Sequence, residues 1–425
     1  MKILWFTNTP SCYTPIGEPN GNPYNGGGWI SSAEKAIREI SDIELAVSFM
    51  LDGQPKKQTK NGVTYYPIPK AKRNLALRIT RTLGRFVEGK RHHRLEESSW
   101  NYYLEYFQEL INDFQPDIIH IWGSEKLFGL VAKVTQTPVI LHIQGILNPY
   151  LNAYSPPFVS LRDHIFTSYN PISILKNWLN LKDWEDGCYR ERIIFKNIDA
   201  VLGRTEWDER VAYILNGKAK YFHVDEILRD DFYTDEERSI PEELTIVSTI
   251  SQPLYKGFDL ILKTANILKN HLDMDFKWKC YGNIEPSVIE HNIGIKHNDV
   301  DIILAGAVTS QELHQTELGA TLYFHPSYID NSPNSLCEAQ MLGLPVISTN
   351  VGGIPSLIED GKDGFLIPSN DPYQAAFHIL TLWKNKNLNI TMGKEAQRKA
   401  RKRHDPQEVV RQILNAYNEV LNSRK

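Results

Sequence analysis

The stretch His325-Pro326-Ser327-Tyr328-Ile329-Asp330-Asn331-Ser332-Pro333-Asn334-Ser335-Leu336-Cys337-Glu338 gathers carboxylates, hydroxyls and a loop-to-helix boundary in one place. An apolar run ends near Phe324, and a helix is expected to start at the Ser332-Pro333 step, with Ser332 as its cap and Pro333 in its first position. The free N–H groups of a helix start favour an anion. Asn331, Ser332, Asn334 and Ser335 surround that point. Asp330 precedes the helix and Glu338 lies inside it, with seven residues between them. Ionised carboxylates accept strong hydrogen bonds from O–H donors, so this pair beside an anion site suits sugar hydroxyls.

Other segments carry polar residues at the ends of apolar runs. Ser251-Gln252-Pro253-Leu254-Tyr255-Lys256-Gly257 puts a cation in a loop between a strand and a helix. Gly26-Gly27-Gly28-Trp29 precedes a helical pattern of Ala33, Ala36, Ile37 and Ile40, and its glycines allow close backbone approach to a ligand. The run Pro138 to Gly145 ends with His142 and Gln144 on one strand face. Arg204 and Glu226 stand in polar, aromatic stretches near strand ends and are candidates to line a cleft. The aromatic segment from Asn148 to Trp184 is a candidate acceptor wall.

Bringing these distant segments together requires a particular architecture. The 425 residues suggest two or three domains. Strand patterns at Ile3 to Thr7, Ile43 to Phe49, Val63 to Ile68, Asp117 to Trp122, Pro138 to Ile143 and Ala200 to Arg204 alternate with helical ones, such as Tyr103, Phe107, Leu110, Ile111 and Phe114. A second series runs through Leu244 to Ile250, Phe276 to Tyr281, Ile302 to Ala305, Thr321 to Phe324 and Val346 to Ser348. The α/β alternation implies two doubly wound, Rossmann-like domains. They are expected at 1–229 and 243–405, joined by an acidic linker at 230–242. The helix of 406–425, with Val410, Ile413, Leu414, Tyr417 and Leu421 on one stripe, is expected to pack back on the first. Ligands of such sheets bind beyond the strands' carboxyl ends, so the interdomain cleft is the expected site.

The signature resembles that of retaining glycosyltransferases of family 4, which have the two-domain GT-B fold. The resemblance extends through Glu338-Ala339-Gln340-Met341-Leu342-Gly343-Leu344-Pro345-Val346-Ile347, Thr349 to Pro355 and Asp363-Gly364-Phe365-Leu366. It implies transfer of a hexosyl group from a nucleotide-sugar donor to a hydroxyl of a saccharide or lipid-linked glycan, in cell-surface polysaccharide synthesis. Glu338 would bind the donor ribose, and Lys256 its diphosphate, as part of a loop with Ser251 and Gln252. Gly27 and Gly28 would approach the phosphates. Asp330 stands where the family commonly has Glu, Ser251 where it often has Arg, and Gln144 where it often has a residue beside the donor sugar. Such transfer needs no enzymic nucleophile, cofactor or metal. The alternatives are a GT-B nucleotide-sugar epimerase and a non-catalytic sugar- or lipid-binding relative.

The formal net charge of −4 and the lack of a reader motif oppose nucleic-acid binding. The four cysteines lie far apart, as in a reducing compartment. With no apolar run of membrane-spanning length and no signal-peptide core, a cytoplasmic protein is expected. Within 70–94, nine basic residues stand against one acid. Leu75, Ile79, Leu83, Phe86 and Val87 share one helical face there, opposite Arg78, Arg81 and Arg85. That pattern suits peripheral docking on an anionic inner-membrane surface or packing on the first core.

Overall fold

The computed structural model describes residues 1–11, 13, 28–53, 56–71, 84–85, 96–157, 159–160, 162, 165, 170–251 and 254–423. Eight strands form the first sheet: β1 (Lys2–Thr7), β2 (Glu44–Leu51), β3 (Gln58–Lys60), β4 (Val63–Pro69), β5 (Ile118–Trp122), β6 (Val139–His142), β7 (Ala200–Gly203) and β8 (Lys220–His223). Six form the second: β9 (Thr245–Thr249), β10 (Lys277–Tyr281), β11 (Ile302–Gly306), β12 (Leu322–His325), β13 (Val346–Thr349) and β14 (Gly364–Ile367). Their orders are β3-β4-β2-β1-β5-β6-β7-β8 and β11-β10-β9-β12-β13-β14. Among the described residues only the β3–β4 pair is antiparallel.

The apolar runs follow from burial on both faces. In β1, Ile3 and Trp5 join one core and Leu4 and Phe6 the other. In β9, Ile246 and Val247 divide in the same way. Three strands, β3, β8 and β14, do not appear among the sequence-based strands. The first lies on a sheet edge with Gln58, Thr59 and Lys60 all exposed, and β8 on the other edge is only part-buried, so neither carries a core-facing signature.

In each sheet the strand order reverses direction once, between β1 and β5 and between β9 and β12. Those switch points are where a doubly wound sheet opens a crevice at its strands' carboxyl ends. The helix Pro406–Asn422, capped by Asp405 through the N–H groups of Gln407 and Glu408, buries Val410, Ile413 and Tyr417 with Ile3 and Trp5 of the first sheet. The Tyr417 hydroxyl accepts from Trp5 Nε1 at 3.2 Å. The acidic stretch after Arg229 is anchored: Phe232 is buried in the second sheet's core, and Arg238 donates to Asn389 Oδ1 at 2.6 Å.

Most of 70–94 lies outside the described residues, including Arg78 and Arg81. Arg85 is described, and it corrects the sequence reading. Instead of facing outward, it is 8% exposed and pairs with Asp183 and with Asp186, the latter at 2.9 Å, on the helix Pro171–Asn197. Two carboxylates from a neighbouring element make burial of the guanidinium favourable. No described helix is long and apolar enough to cross a membrane.

Candidate active site at the two switch points

The loops after β9 and β12 lock together. Gly257 takes φ 80°, and a Cβ there would lie 2.1 Å from the Pro326 carbonyl oxygen, so only glycine lets the two loops touch. The Tyr328 N–H donates to the Tyr255 carbonyl at 2.7 Å. This contact brings Lys256 to Asp330, with Nζ to Oδ2 at 2.7 Å. The same carboxylate oxygen lies 3.2 Å from His325 Nε2 and 3.3 Å from Ser327 Oγ. Burial alone would raise the pKa of Asp330, but the Lys256 charge and the His325 bond overcome it and hold the carboxyl well below its usual range. The Gly353 N–H donates to the Asp330 carbonyl at 2.9 Å, which gives the Val351-Gly352-Gly353 segment a buttressing role.

The helix carrying Glu338 begins at Asn334 rather than at the Ser332-Pro333 step, and its cap is Pro333, without a side-chain cap bond. Ser332 is instead drawn to the first domain. Its carbonyl accepts from Arg204 Nη1 at 3.4 Å, and the same nitrogen lies 3.5 Å from Asn334 Oδ1. Arg204 Nη2 donates to the Ile143 carbonyl at 3.0 Å and to Gln144 Oε1 at 3.1 Å. Arg204 also pairs with Glu226, and both are at most 5% exposed. Burial, opposed by Arg204, raises the Glu226 pKa to about 6. One guanidinium thus ties Gln144 of the first domain to the Asp330–Glu338 segment of the second. Tyr150 makes a second tie, its hydroxyl donating to Asn331 Oδ1 at 3.3 Å.

Glu338 is 2% exposed, and Arg229 holds both of its oxygens, at 2.7 and 2.6 Å. The stem of Arg229 lies against Gly28, where a Cβ would sit 2.8 Å from Arg229 Cγ. Arg229 closes the polar, aromatic stretch Tyr221 to Arg229, a candidate to line the cleft, but nothing in the sequence pairs it with Glu338. Ser251 is exposed and Ser335 half-buried. Gly27 and Gln252 lie outside the described residues. His142 is buried in the first domain, its ring stacked on Trp122 at 4.5 Å with both nitrogens unpaired. Trp29 packs 5.3 Å from the same Trp122. On the second domain, a cavity of about 410 Å³ opens at the carboxyl ends of β10 and β11, lined by Gly282, Asn283, Ile284, Glu285, Leu304 and Gly306.

Residues 241–385 match the family Glycosyl transferases group 1. A D-inositol 3-phosphate glycosyltransferase of Corynebacterium kroppenstedtii is 26% identical over 171 residues, which cover 38% of this chain and 37% of that relative. The match thus spans little more than a third of the relative's length. Sucrose-phosphate synthase from Thermosynechococcus elongatus superposes over 100% of both chains with a TM-score of 0.70 at 12% identity. Anabaena HepE in complex with UDP aligns over 99% of this chain and 100% of its own, with a TM-score of 0.61 at 15% identity. At such identities the likeness is one of fold. The chain thus has two parallel-sheet domains in the GT-B arrangement, and the second carries the segment similar to the glycosyl transferases of group 1.

Proposed function

We propose that the protein transfers a hexosyl unit, with retention and without a metal, from a nucleoside-diphosphate sugar to a hydroxyl of a saccharide or lipid-linked glycan in polysaccharide synthesis. The observation that carries this reading is the Lys256–Asp330 pair at the second sheet's switch point, in a segment that Arg204, itself bonded to Gln144, reaches at Ser332. Lys256 would take the charge that grows on the departing diphosphate, and Asp330 a hydroxyl of the donor sugar. The cavity beside β10 and β11 is next in the sheet to β9 and would receive the nucleobase. UDP bound by HepE, a protein of the same fold, supports a nucleoside diphosphate as the ligand class.

Glu338 would bind the ribose, so donor binding must exchange Arg229 for two sugar hydroxyls. The released guanidinium then lies beside Gly28, where it would supply the second cation that Ser251 does not. Ribose contacts exist equally in ground and transition states, so Glu338→Ala should raise the donor KM more than it lowers kcat. Unchanged donor affinity in that variant would remove Glu338 from the ribose role.

The whole reading is tested by a thermal-shift screen of UDP-, GDP- and ADP-sugars, followed by product analysis with EDTA present. A sugar at 100 times its Kd should stabilise the protein by about 2.7 kcal/mol. Transfer that survives the chelator supports the proposal, and loss rescued by Mg²⁺ or Mn²⁺ overturns its metal-free part. Peripheral docking through the basic residues of 70–94 other than Arg85 belongs to the same proposal. Co-sedimentation with anionic but not neutral vesicles, weakened by salt, is the expected result.

A further inference from the structure

Soon after Gln144 the chain of the first domain crosses to the second. The short helix Leu147–Asn152 carries Tyr150, whose ring lies against Gly145: a Cβ there would sit 3.6 Å from Tyr150 Cε2. Tyr154 follows, and Val159, 3% exposed, joins the second domain's apolar core with Leu254 and Phe258. Trp184 arrives from the helix Pro171–Asn197, between Asp183 and Asp186, the two carboxylates that Arg85 holds. The first two rings are covered, Tyr150 and Tyr154 being 7% and 6% exposed.

What covers them is Tyr255, in the loop after β9. Its ring centroid lies 5.2 Å from that of Tyr150 and 6.3 Å from that of Trp184, and Trp184 in turn lies 5.5 Å from Tyr154. Four rings from three stretches of the chain thus close over the domain boundary. The proposed reaction site is their immediate neighbour. Lys256 Nζ is 5.6 Å from the Tyr255 ring centroid and meets Asp330 at 2.7 Å. The Tyr150 hydroxyl reaches Asn331, the residue after Asp330, at 3.3 Å. A boundary packed with rings holds little water, and a dry boundary strengthens the Lys256 charge that a departing diphosphate needs.

Resting on the transferase reading above, we infer that Tyr150, Tyr154 and Trp184, held on Tyr255 with Val159 as their anchor, shield the reacting centre from water and so favour transfer over hydrolysis of the donor. In the reaction they suppress, a water oxygen bonds the donor's anomeric carbon. The bond from that carbon to the diphosphate oxygen breaks, its electron pair leaves with the nucleoside diphosphate, and one water proton passes to that diphosphate. Free sugar and nucleoside diphosphate are the products. Water is smaller than a glycan and far more concentrated, so its exclusion is what lets a glycan hydroxyl compete. Trp184 and Tyr154 act through Tyr255, as positioning residues.

The test is the release of nucleoside diphosphate from a donor with no acceptor added. It uses whichever sugar of the UDP-, GDP- and ADP-sugar panel gives the largest thermal shift. Wild-type protein should release it slowly. Trp184→Ala opens the ring cluster from the first domain's side and should raise the release about tenfold while the donor's thermal shift holds. Trp184→Phe, which keeps a ring against Tyr255, should stay within about threefold of wild type. Val159→Asp, which expels the anchor from the second core without altering a ring, should also raise the release. Mere damage to the fold would lower it, so a rise separates the shield from a structural role. Release by Trp184→Ala no faster than by wild type overturns the inference alone. Should that variant fail to fold, release by Val159→Asp no faster than by wild type overturns it. Wild-type protein that binds no sugar of the panel overturns the transferase reading itself.

Discussion

Lys256→Ala should lower kcat by about 10²–10³, the usual loss when one group that stabilises developing negative charge is removed. The ion pair makes this substitution more than a deletion of charge. Asp330 is 4% exposed, and without Lys256 Nζ at 2.7 Å its carboxylate would keep only His325 and Ser327. Breaking a buried pair from one side costs about 3–5 kcal/mol, somewhat less here because Lys256 is part-exposed. A drop in melting temperature is therefore expected with the drop in rate, and rate alone would not separate the two effects. Adding Asp330→Asn removes the stranded charge and should restore most of the stability. Activity should stay low in the double variant, because neither the cation nor the sugar-facing carboxylate returns. A Lys256→Ala variant that turns over at more than about a third of the wild-type rate with saturating donor would end the leaving-group assignment.

What could be read from the sequence divides along a physical line. Strands such as β1, β5 and β9 are apolar on both faces because parallel strands are covered on both sides, and that signature survives without any structure. The Asp330–Glu338 segment was legible because its loop, helix and two carboxylates are contiguous. The contact between Lys256 and Asp330 was not, since it depends on Gly257 fitting beneath Pro326, two loops brought together only by the sheet order. The cap at Ser332 was misplaced for a similar reason. Local preference favours serine there, but the Ser332 carbonyl is held by Arg204 from the other domain. The helix Pro171–Asn197 showed no single apolar stripe, because along its length it buries Leu181, Cys188, Ile194 and Phe195 against different neighbours while Asp186 and Glu191 serve as buried anchors. The pairings of Arg229 and Glu125 were invisible for a simpler reason. Each is a lone polar residue whose partners, Glu338 and Asn8, lie more than a hundred residues away in the chain.

Arg204 is the residue whose loss should most disturb the relation between the two domains. Its guanidinium serves Glu226, Gln144 and the Ile143 and Ser332 carbonyls at once, all but the part-buried Gln144 being buried. Arg204→Ala would leave the Glu226 carboxylate buried without its cation and two carbonyls without this donor. A loss of about 3–5 kcal/mol in stability is expected, read as a lower denaturant midpoint. Part of the loss should ease at acid pH. The Glu226 pKa is already raised to about 6, and without Arg204 burial would raise it further, so the group would be neutral over a wider range. In linkage terms, a carboxyl with a raised folded-state pKa costs nothing below its unfolded value and destabilises increasingly as pH climbs through the folded one. The variant should therefore unfold more easily at pH 8 than at pH 5, by a wider margin than wild type. Replacing both partners, Arg204→Met with Glu226→Leu, removes the stranded charge and should recover much of the stability, as apolar replacement of buried pairs often does. Activity separates the pair's two roles. If Arg204 also orients Gln144 toward the donor sugar, the stable double variant should still transfer poorly. A double variant with both wild-type stability and wild-type turnover would show that Arg204 holds the domains together and does nothing for the chemistry.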